Sequence, residues 1–452
     1  MSDQRVTRFV QALRRAAGYV RLYGSTHALA AQAIEEAASA ATALVAGRAG
    51  ILLGVVDDTL FADGEPCGLL SLQHNAFLRE IAGAGVQTVM MTGRVDPADL
   101  GALARLIAGE IDEFPDGRTI RLNTITLAEA GEDHSPMAGL RRSYTRSLDA
   151  LRGFGAALQE KRASSLDETA AVVKDLLEKS LSNPAAALLL TTVKSHHEYT
   201  FYHSVNASIL SLGLARLIGL PDRDQLILGI GAMLHDIGKI GVSSSILQQP
   251  GRLDDEQWAQ IRRHPQMGAE AILAAAAPGE ELAAAVALEH HARYDGTGYP
   301  RLVYHDGTRH AGHGHPLHFF SRLVAVADTY DALTTRRSYR RADPPSRALQ
   351  ILVNEAGTSY DPDFVITFAS MMGVYPPGSF LRLATGEVIM VTQPSGDPAD
   401  VPEAILVRDR TGADVDVPEP VPYRAEDVVD QLPGPSLGLQ PVTILEKTSQ
   451  DS

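Results

Sequence analysis

His290–Pro300 reads HHARYDGTGYP. Two histidines stand side by side where an alanine-rich helical run gives out, and the chain leaves at once through a loop containing Gly296 and Gly298. Neighbouring residues on a helix point ~100° apart, so adjacent imidazoles cannot share one flat helix face unless the helix is ending. A metal site is one place where that divergence is useful. Two adjacent histidines are also a common surface accident, and what the rest of the chain holds decides between the two.

Histidine is unevenly distributed: twelve of the 15 lie between His196 and His318, which marks one region as the place to look for chemistry. A chain of 452 residues is too long for one ordinary core, and about two to four domains are expected. The 45% hydrophobic share is that of a soluble globular protein. No apolar run reaches the ~18 to 20 residues that span a bilayer, and the opening MSDQRVTRFV has no signal-peptide core. A cytoplasmic protein without membrane contact is therefore expected. A single cysteine, Cys67, leaves no intramolecular disulfide and suits a reducing compartment. The net charge of −15 argues against a nucleic-acid polymer as partner, because phosphate backbones are gripped by an excess of Lys and Arg. Small phosphate-bearing molecules remain open, since a metal or a few local bases can hold them.

Residues 1–128 read as a mixed α/β module with a regulatory or dimerisation role. Val6 to Val20 and Ala28 to Val45 carry helical apolar spacing, and GILLGVVDDTLFADGEP reads as two strands with turns at Asp57-Asp58 and Asp63-Gly64. Leu72 to Ala84 and Pro97 to Ala108 read as helices on either side of a strand in VQTVMMTG. Nothing here has catalytic spacing, and His27 and Cys67 read as packing or surface residues. Residues 129–180, with SLDALRGFGAALQEK and SLDETAAVVKDLLEK, read as a helical connector that also suits a dimer contact. Residues 181–375 read as nearly all helix, broken at Pro221, Pro250, His264-Pro265, Pro278 and the DGTGYP loop. Beyond Val374 the texture changes: eleven of the 25 prolines fall there, among the β-like runs SFLRLATGEVIMVTQ, EAILVRD and VTILEK. Residues 376–452 are therefore expected to form a small β domain. The expected fold class is multidomain: an N-terminal α/β module, a central all-α domain and a small C-terminal β domain.

Inside the helical region stand His203, His235-Asp236, His264, His290-His291 and Asp328. Imidazoles and carboxylates are ligands that Fe, Mn and Zn accept, and seven candidates are too many for one ion. A carboxylate can bridge two metals through its two oxygens, which makes Asp236 beside His235 the natural bridge. GAMLHDIGKIG adds Lys239, one turn on along the same helix face, where an ammonium can meet an anionic phosphate oxygen. A lone His-Asp pair in a helix is more often a buried, hydrogen-bonded histidine; the ordered set shifts the reading.

His203, HDIGK, HP-x-x-G (His264, Pro265, Gly268), HHxxxDGxGYP and ADTYDALTTRRSYR, in this order, resemble the HD-GYP phosphodiesterase domain, a branch of the HD superfamily that hydrolyses cyclic di-GMP. The resemblance covers residues 185–373. It implies an all-α HD-GYP domain with two divalent transition-metal ions, Fe or Mn. His203, His235, Asp236 and Asp328 would hold one ion and His264, His290 and His291 the other, with Asp236 bridging. The doublet then supplies two ligands to one ion. The resemblance further implies hydrolysis of cyclic di-GMP to linear pGpG, with slower cleavage to GMP, by a hydroxide held between the metals. Lys239 would neutralise a non-bridging oxygen or assist the leaving 3′-oxygen. Arg337, Tyr339 and Arg340, with Gly298 and Tyr299 of the loop, are the expected contacts to the second phosphate or a guanine. A homodimer is expected, and the GYP loop is the expected contact for a diguanylate cyclase (GGDEF) partner. The loop lacks the G-K-[ST] ending of a nucleotide P-loop.

Four departures matter. Ala292 replaces the Glu that usually follows the doublet, which costs no metal ligand but removes a carboxylate able to support one. Members with a third metal carry Glu four residues before the first histidine; here that position is Tyr199, with Glu198 out of phase, so two metals are expected. The usual Arg-Pro-Tyr-Arg is Arg337-Ser338-Tyr339-Arg340, which keeps the bases. RLVYHDGTRHAGHGHPLHFF is longer and richer in histidine than usual, and His305, His310, His313, His315 and His318 read as a solvated or lid-like loop. His196 and His197 read as surface residues. Two alternatives stay open: an HD-type hydrolase of another cyclic dinucleotide or nucleotide, and a catalytically weak receptor or docking module, which Ala292 favours.

Overall fold

A computed structural model of the chain describes residues 2–48, 50–56, 59–63, 65–115, 117–123, 136–193, 199–247, 249, 251–301, 317–335, 342–394, 402–415, 418–432 and the single positions 437, 439, 441 and 444. The chain divides into two compact units, Met1–Asp133 and His134–Ser452.

In the first unit, α1 (Ser2–Tyr23) buries Val6, Phe9, Val10, Leu13, Ala16, Ala17 and Val20, the stripe that helical spacing demands. It packs on α2 (Ala28–Val45), whose N-terminus His27 caps by accepting the Leu29 amide on Nδ1 at 3.2 Å. Strands β1 (Ile51–Val56), β2 (Thr59–Ala62) and β3 (Glu65–Pro66) precede α3 (Gly68–Gly83). After it come β4 (Thr88–Met91), α4 (Pro97–Ala108) and β5 (Ile120–Leu122). The sheet runs β3-β2-β1-β4-β5 and is antiparallel throughout. The turns expected at Asp57-Asp58 and at Gly64 lie outside the described residues. β3 and β5 escape sequence reading because two or three residues are too few to show an alternating period.

The second unit opens with α5 (Pro136–Gln159), α6 (Asp167–Ser182) and α7 (Pro184–Leu190). Expected as a connector, α5 and α6 instead pack on the helices that follow, and Tyr144 is fully buried with its hydroxyl donating to Asn206 Oδ1 at 2.7 Å. Next come α8 (Tyr199–Leu217), α9 (Asp222–Leu234), a 3₁₀ turn (Ile237–Gly241), α10 (Ser244–Leu247), α11 (Asp255–Ile261), α12 (His264–Ala275) and α13 (Leu282–Glu289). Then follow α14 (Phe319–Thr334), α15 (Pro345–Asn354) and α16 (Pro362–Met372). The middle of α8, from Tyr202 to Leu212, is buried all round, and so is most of α9; helices buried on every side belong at the centre of a bundle. α8 packs on α9 and α14, and α13 packs on α9, α12 and α14.

The chain ends in a second antiparallel sheet of β6 (Phe380–Leu383), β7 (Val388–Gln393), β8 (Glu403–Arg408), β9 (Pro420–Pro422) and β10 (Val428–Leu432), in the order β10-β6-β7-β8-β9. On β7, Val388 and Met390 join one small core while Ile389 and Val391 join another. Side chains alternate across a strand, so the unbroken apolar run VIMV marks a strand covered on both faces. Among the described residues no helix is long and apolar enough to cross a membrane.

Candidate metal centre

Five elements deliver the candidate ligands, and most of them arrive at helix ends. His235 caps the C-terminus of α9, His290 that of α13, and His264 opens α12 three residues beyond the last residue of α11. The last carbonyls of a helix lack an intrahelical donor, and each of these rings supplies one. Nδ1 of His235 lies 2.7 Å from Ala232 O, Nδ1 of His264 2.6 Å from Ile261 O, and Nδ1 of His290 2.9 Å from Ala287 O. A carbonyl only accepts, so Nδ1 carries the hydrogen in all three rings and Nε2 is left to face the interior.

Those Nε2 atoms converge on Asp236. Its Oδ1 lies 3.3 Å from His264 Nε2 and 3.5 Å from His290 Nε2, and its Oδ2 lies 3.5 Å from His235 Nε2 and 4.0 Å from His203 Nε2. Two groups able to hold an ion result, Asp236 with His264, His290 and His291, and Asp236 with His203 and His235. Asp328 Oδ1 adjoins the second group, 2.8 Å from His203 Nε2 and 3.8 Å from His235 Nε2. All seven residues expected as ligands thus meet. The doublet's divergence is used, with the rings of His290 and His291 centred 4.1 Å apart and tilted by 44° inside one group.

Burial and charge set the protonation states. Burial pushes His290 down to about 4, with His235 and His264 acting in the same direction against the pull of Asp236. Burial, then His290, holds His291 well below its ordinary value. Both rings are neutral at pH 7 and present lone pairs. His203 is the opposite case: burial alone would lower it, but Asp328 and Asp331 on its two nitrogens raise it to about 9. Asp236, which burial would raise, is held well below the usual carboxylate range, chiefly by Lys239. Asp328 is also lowered against burial, chiefly by its bond to His203.

The arrangement suits a divalent cation better than hydrogen bonding alone. His264 and His290 turn Nε2 atoms toward each other at 3.2 Å, each ring having its Nδ1 hydrogen committed elsewhere. His235 Nε2 and Asp236 Oδ1 are buried without a hydrogen-bond partner. A buried polar atom left so costs about 1–3 kcal/mol, and a cation among these nitrogens and oxygens satisfies all of them. Nitrogen and oxygen donors in this mixture suit Fe, Mn or Zn.

Lys239 departs from expectation in its backbone. It does not continue the helix of His235 but sits on the 3₁₀ turn, from which Nζ still reaches Asp236 Oδ2 at 2.5 Å. The cause is Gly238, where a Cβ would come within 2.0 Å of His264 O and 2.6 Å of the Gly268 amide. The glycines of HDIGK and HP-x-x-G let these two backbones touch, which breaks the helix and brings Lys239 and His264 to one place. Gly298 has a similar task in the loop. Its φ is +89°, and a Cβ there would lie 2.4 Å from His291 O. It pairs in a β-bridge with the buried Ala292, and the Tyr299 ring rests on His291 at 4.7 Å.

Arg337, Tyr339 and Arg340 lie outside the described residues, as do His196, His197, His305, His310, His313 and His315. His318 accepts the Phe320 amide on Nδ1 and caps α14. Tyr199 stacks on His203, with centroids 5.4 Å apart and planes 11° from parallel.

Sequence reading missed Asp331. Its Oδ2 accepts from His203 Nδ1 at 2.7 Å, which fixes the ring and aims Nε2 at the cluster. The signal was its spacing from Asp328, since i and i+3 share a helix face. Asp331→Ala is expected to lower Mn²⁺ affinity by roughly 10–100-fold, read by metal titration of the purified chain. Unchanged affinity would remove Asp331 from the centre.

Residues 187–364 match the family described as HD domain. A cyclic di-GMP phosphodiesterase of Pseudomonas aeruginosa is 35% identical over 54% of this chain and 55% of its own length. A 3′3′-cGAMP-specific phosphodiesterase of Vibrio cholerae is 35% identical over 41% of this chain and 38% of its own. A cyclic di-GMP phosphodiesterase response regulator of Xanthomonas campestris is 38% identical over 33% of this chain and 37% of its own. The chain therefore spans about half or less of the length of the curated relatives it matches.

Proposed function

We propose, from the match of residues 187–364 to the HD domain family and from the GYP loop, that this chain hydrolyses cyclic di-GMP to linear pGpG and, more slowly, to GMP. The observation that supports this most is Asp236, which turns Oδ1 toward His264 and His290 and Oδ2 toward His203 and His235. A carboxylate so placed suits a bridge between two ions, Fe or Mn. His203, His235 and Asp328 would complete one ligand set, and His264, His290 and His291 the other. Such a pair, when bound, lowers the pKa of a water and neutralises phosphoryl charge.

The chain's own groups supply the rest. Lys239, 17% exposed at the edge of the cluster, donates to a non-bridging phosphate oxygen once cations neutralise Asp236 in its place. Tyr299 covers His291 and presents its ring to the substrate, with Gly298 giving the backbone its close approach. Arg337, Tyr339 and Arg340 belong to this reading as contacts for the second phosphate or a guanine. The Tyr199 ring on His203 occupies the position from which a carboxylate would hold a third ion, which supports two. Elemental analysis of protein purified without chelator is expected to find about two Fe or Mn per chain; a reproducible three would overturn the role given to Tyr199.

A second reading, hydrolysis of 3′3′-cGAMP by the same centre, draws on the name of the Vibrio cholerae relative. The test is incubation with each dinucleotide and Mn²⁺ or Fe²⁺ under reducing conditions, followed by separation of the products. Faster formation of pGpG from cyclic di-GMP is expected. Metal-dependent binding of both without product would replace catalysis by a receptor role, which Ala292 favours.

A further inference from the structure

Trp258 and Arg262 stand beside the metal cluster without serving the core. They lie on and just after α11, a helix of seven residues with none buried, whose start is fixed by a capping box between Asp254 and Gln257. Their i, i+4 spacing puts both on one face. The central carbon of the Arg262 guanidinium is 5.6 Å from the centre of the Trp258 ring and 5.7 Å from that of Tyr299, inside the ~6 Å of a cation–π contact. Tyr299 in turn leans over His291, with planes 36° apart. Trp258 is the chain's only tryptophan, and 41% of it is exposed. Among the described residues the Arg262 side chain has these two ring contacts and no hydrogen bond or ion pair.

We propose, resting on the cyclic di-GMP reading above, that Arg262, in contact with the rings of Trp258 and Tyr299, recognises the guanine of a nucleotide whose phosphate occupies the metal cluster. The two ring contacts engage the charge of the guanidinium and leave its N–H donors available. Those donors match the paired O6 and N7 acceptors of guanine, whereas adenine offers N7 beside an N6 donor and cannot accept both. The exposed indole adds a surface on which a base can stack. Lysine at this position would keep a charge for phosphate but not the paired donors, so the two recognition chemistries separate experimentally.

The test uses the full chain loaded with Mn²⁺, with kcat and KM measured on cyclic di-GMP and cyclic di-AMP. Bis(p-nitrophenyl) phosphate, a diester without a base, reports the metal centre alone. For Arg262→Met and Arg262→Lys alike, kcat/KM on cyclic di-GMP is expected to fall roughly 5- to 150-fold, mainly through KM. The preference for guanine over adenine should shrink by the same factor, and cleavage of the base-free diester should not change. Equal losses on both dinucleotides, or rescue by Lys, would assign Arg262 to phosphate and overturn base recognition. Loss of base-free cleavage would make Arg262 a support of the Tyr299 loop and overturn it as well. A wild-type protein that cleaves the base-free diester but neither dinucleotide would overturn the underlying cyclic di-GMP reading, an outcome visible before any variant is made.

Discussion

Asp236→Ala is expected to abolish the proposed hydrolysis of cyclic di-GMP and to lower metal content at both positions together. The side chain is buried, with His264 and His290 on one oxygen and His203 and His235 on the other. Alanine removes the one group common to both ligand sets. The loss should exceed the roughly 10²- to 10³-fold that removing a single preorganised electrostatic group costs. The fold should survive, because Asp236 Oδ1 has no hydrogen-bond partner and Lys239, the ion-pair partner of Oδ2, can turn to water. The thermal midpoint of the metal-free variant is therefore expected near that of the metal-free wild type. The stabilisation that added Mn²⁺ confers on the wild type by binding the folded state should disappear. Two ions and full activity in the variant would sink the bridging role.

Lys239→Met is expected to slow hydrolysis by about 10²-fold while leaving metal content unchanged. The ammonium pairs with Asp236 and holds its carboxyl below the usual range. Cations held by Asp236 and its neighbouring imidazoles would supply that neutralisation, which would leave Lys239 free to meet phosphate. Methionine keeps the length and apolar stem and removes the donor. Activity and metal analysis on the same sample decide the matter: loss of metal along with activity would make Lys239 a counter-ion of Asp236 and not a substrate group.

Much of this centre was legible because its residues sit at local breaks that sequence shows directly. His290-His291 stands where an alanine-rich run meets a glycine loop, and His264-Pro265 where one helix stops and another begins. What was not legible depends on packing. HDIGK reads as helix, yet the backbone contact between Gly238 and His264 forces a 3₁₀ turn. Asp331 shares a motif with Asp328, but only the placement of α8 against α14 sets it on His203 Nδ1, 128 residues away in sequence. Arg262 and Trp258 look like an ordinary solvated helix face until the GYP loop brings Tyr299 over the guanidinium. α5 and α6 read as a connector because their charged faces are plain in the sequence, whereas their fit on α8 and α9 is not.

By itself the sequence determined the kinds of ligand, their order and their attachment to helix ends, because histidine, aspartate, glycine and proline impose local chemistry wherever they stand. Only the tertiary structure decided which oxygen of Asp236 faces which imidazoles, and that His203 lies between Asp328 and Asp331. Those facts join groups as much as 128 residues apart. They follow from how helices buried on every side settle against one another, and no local pattern of residues encodes that packing.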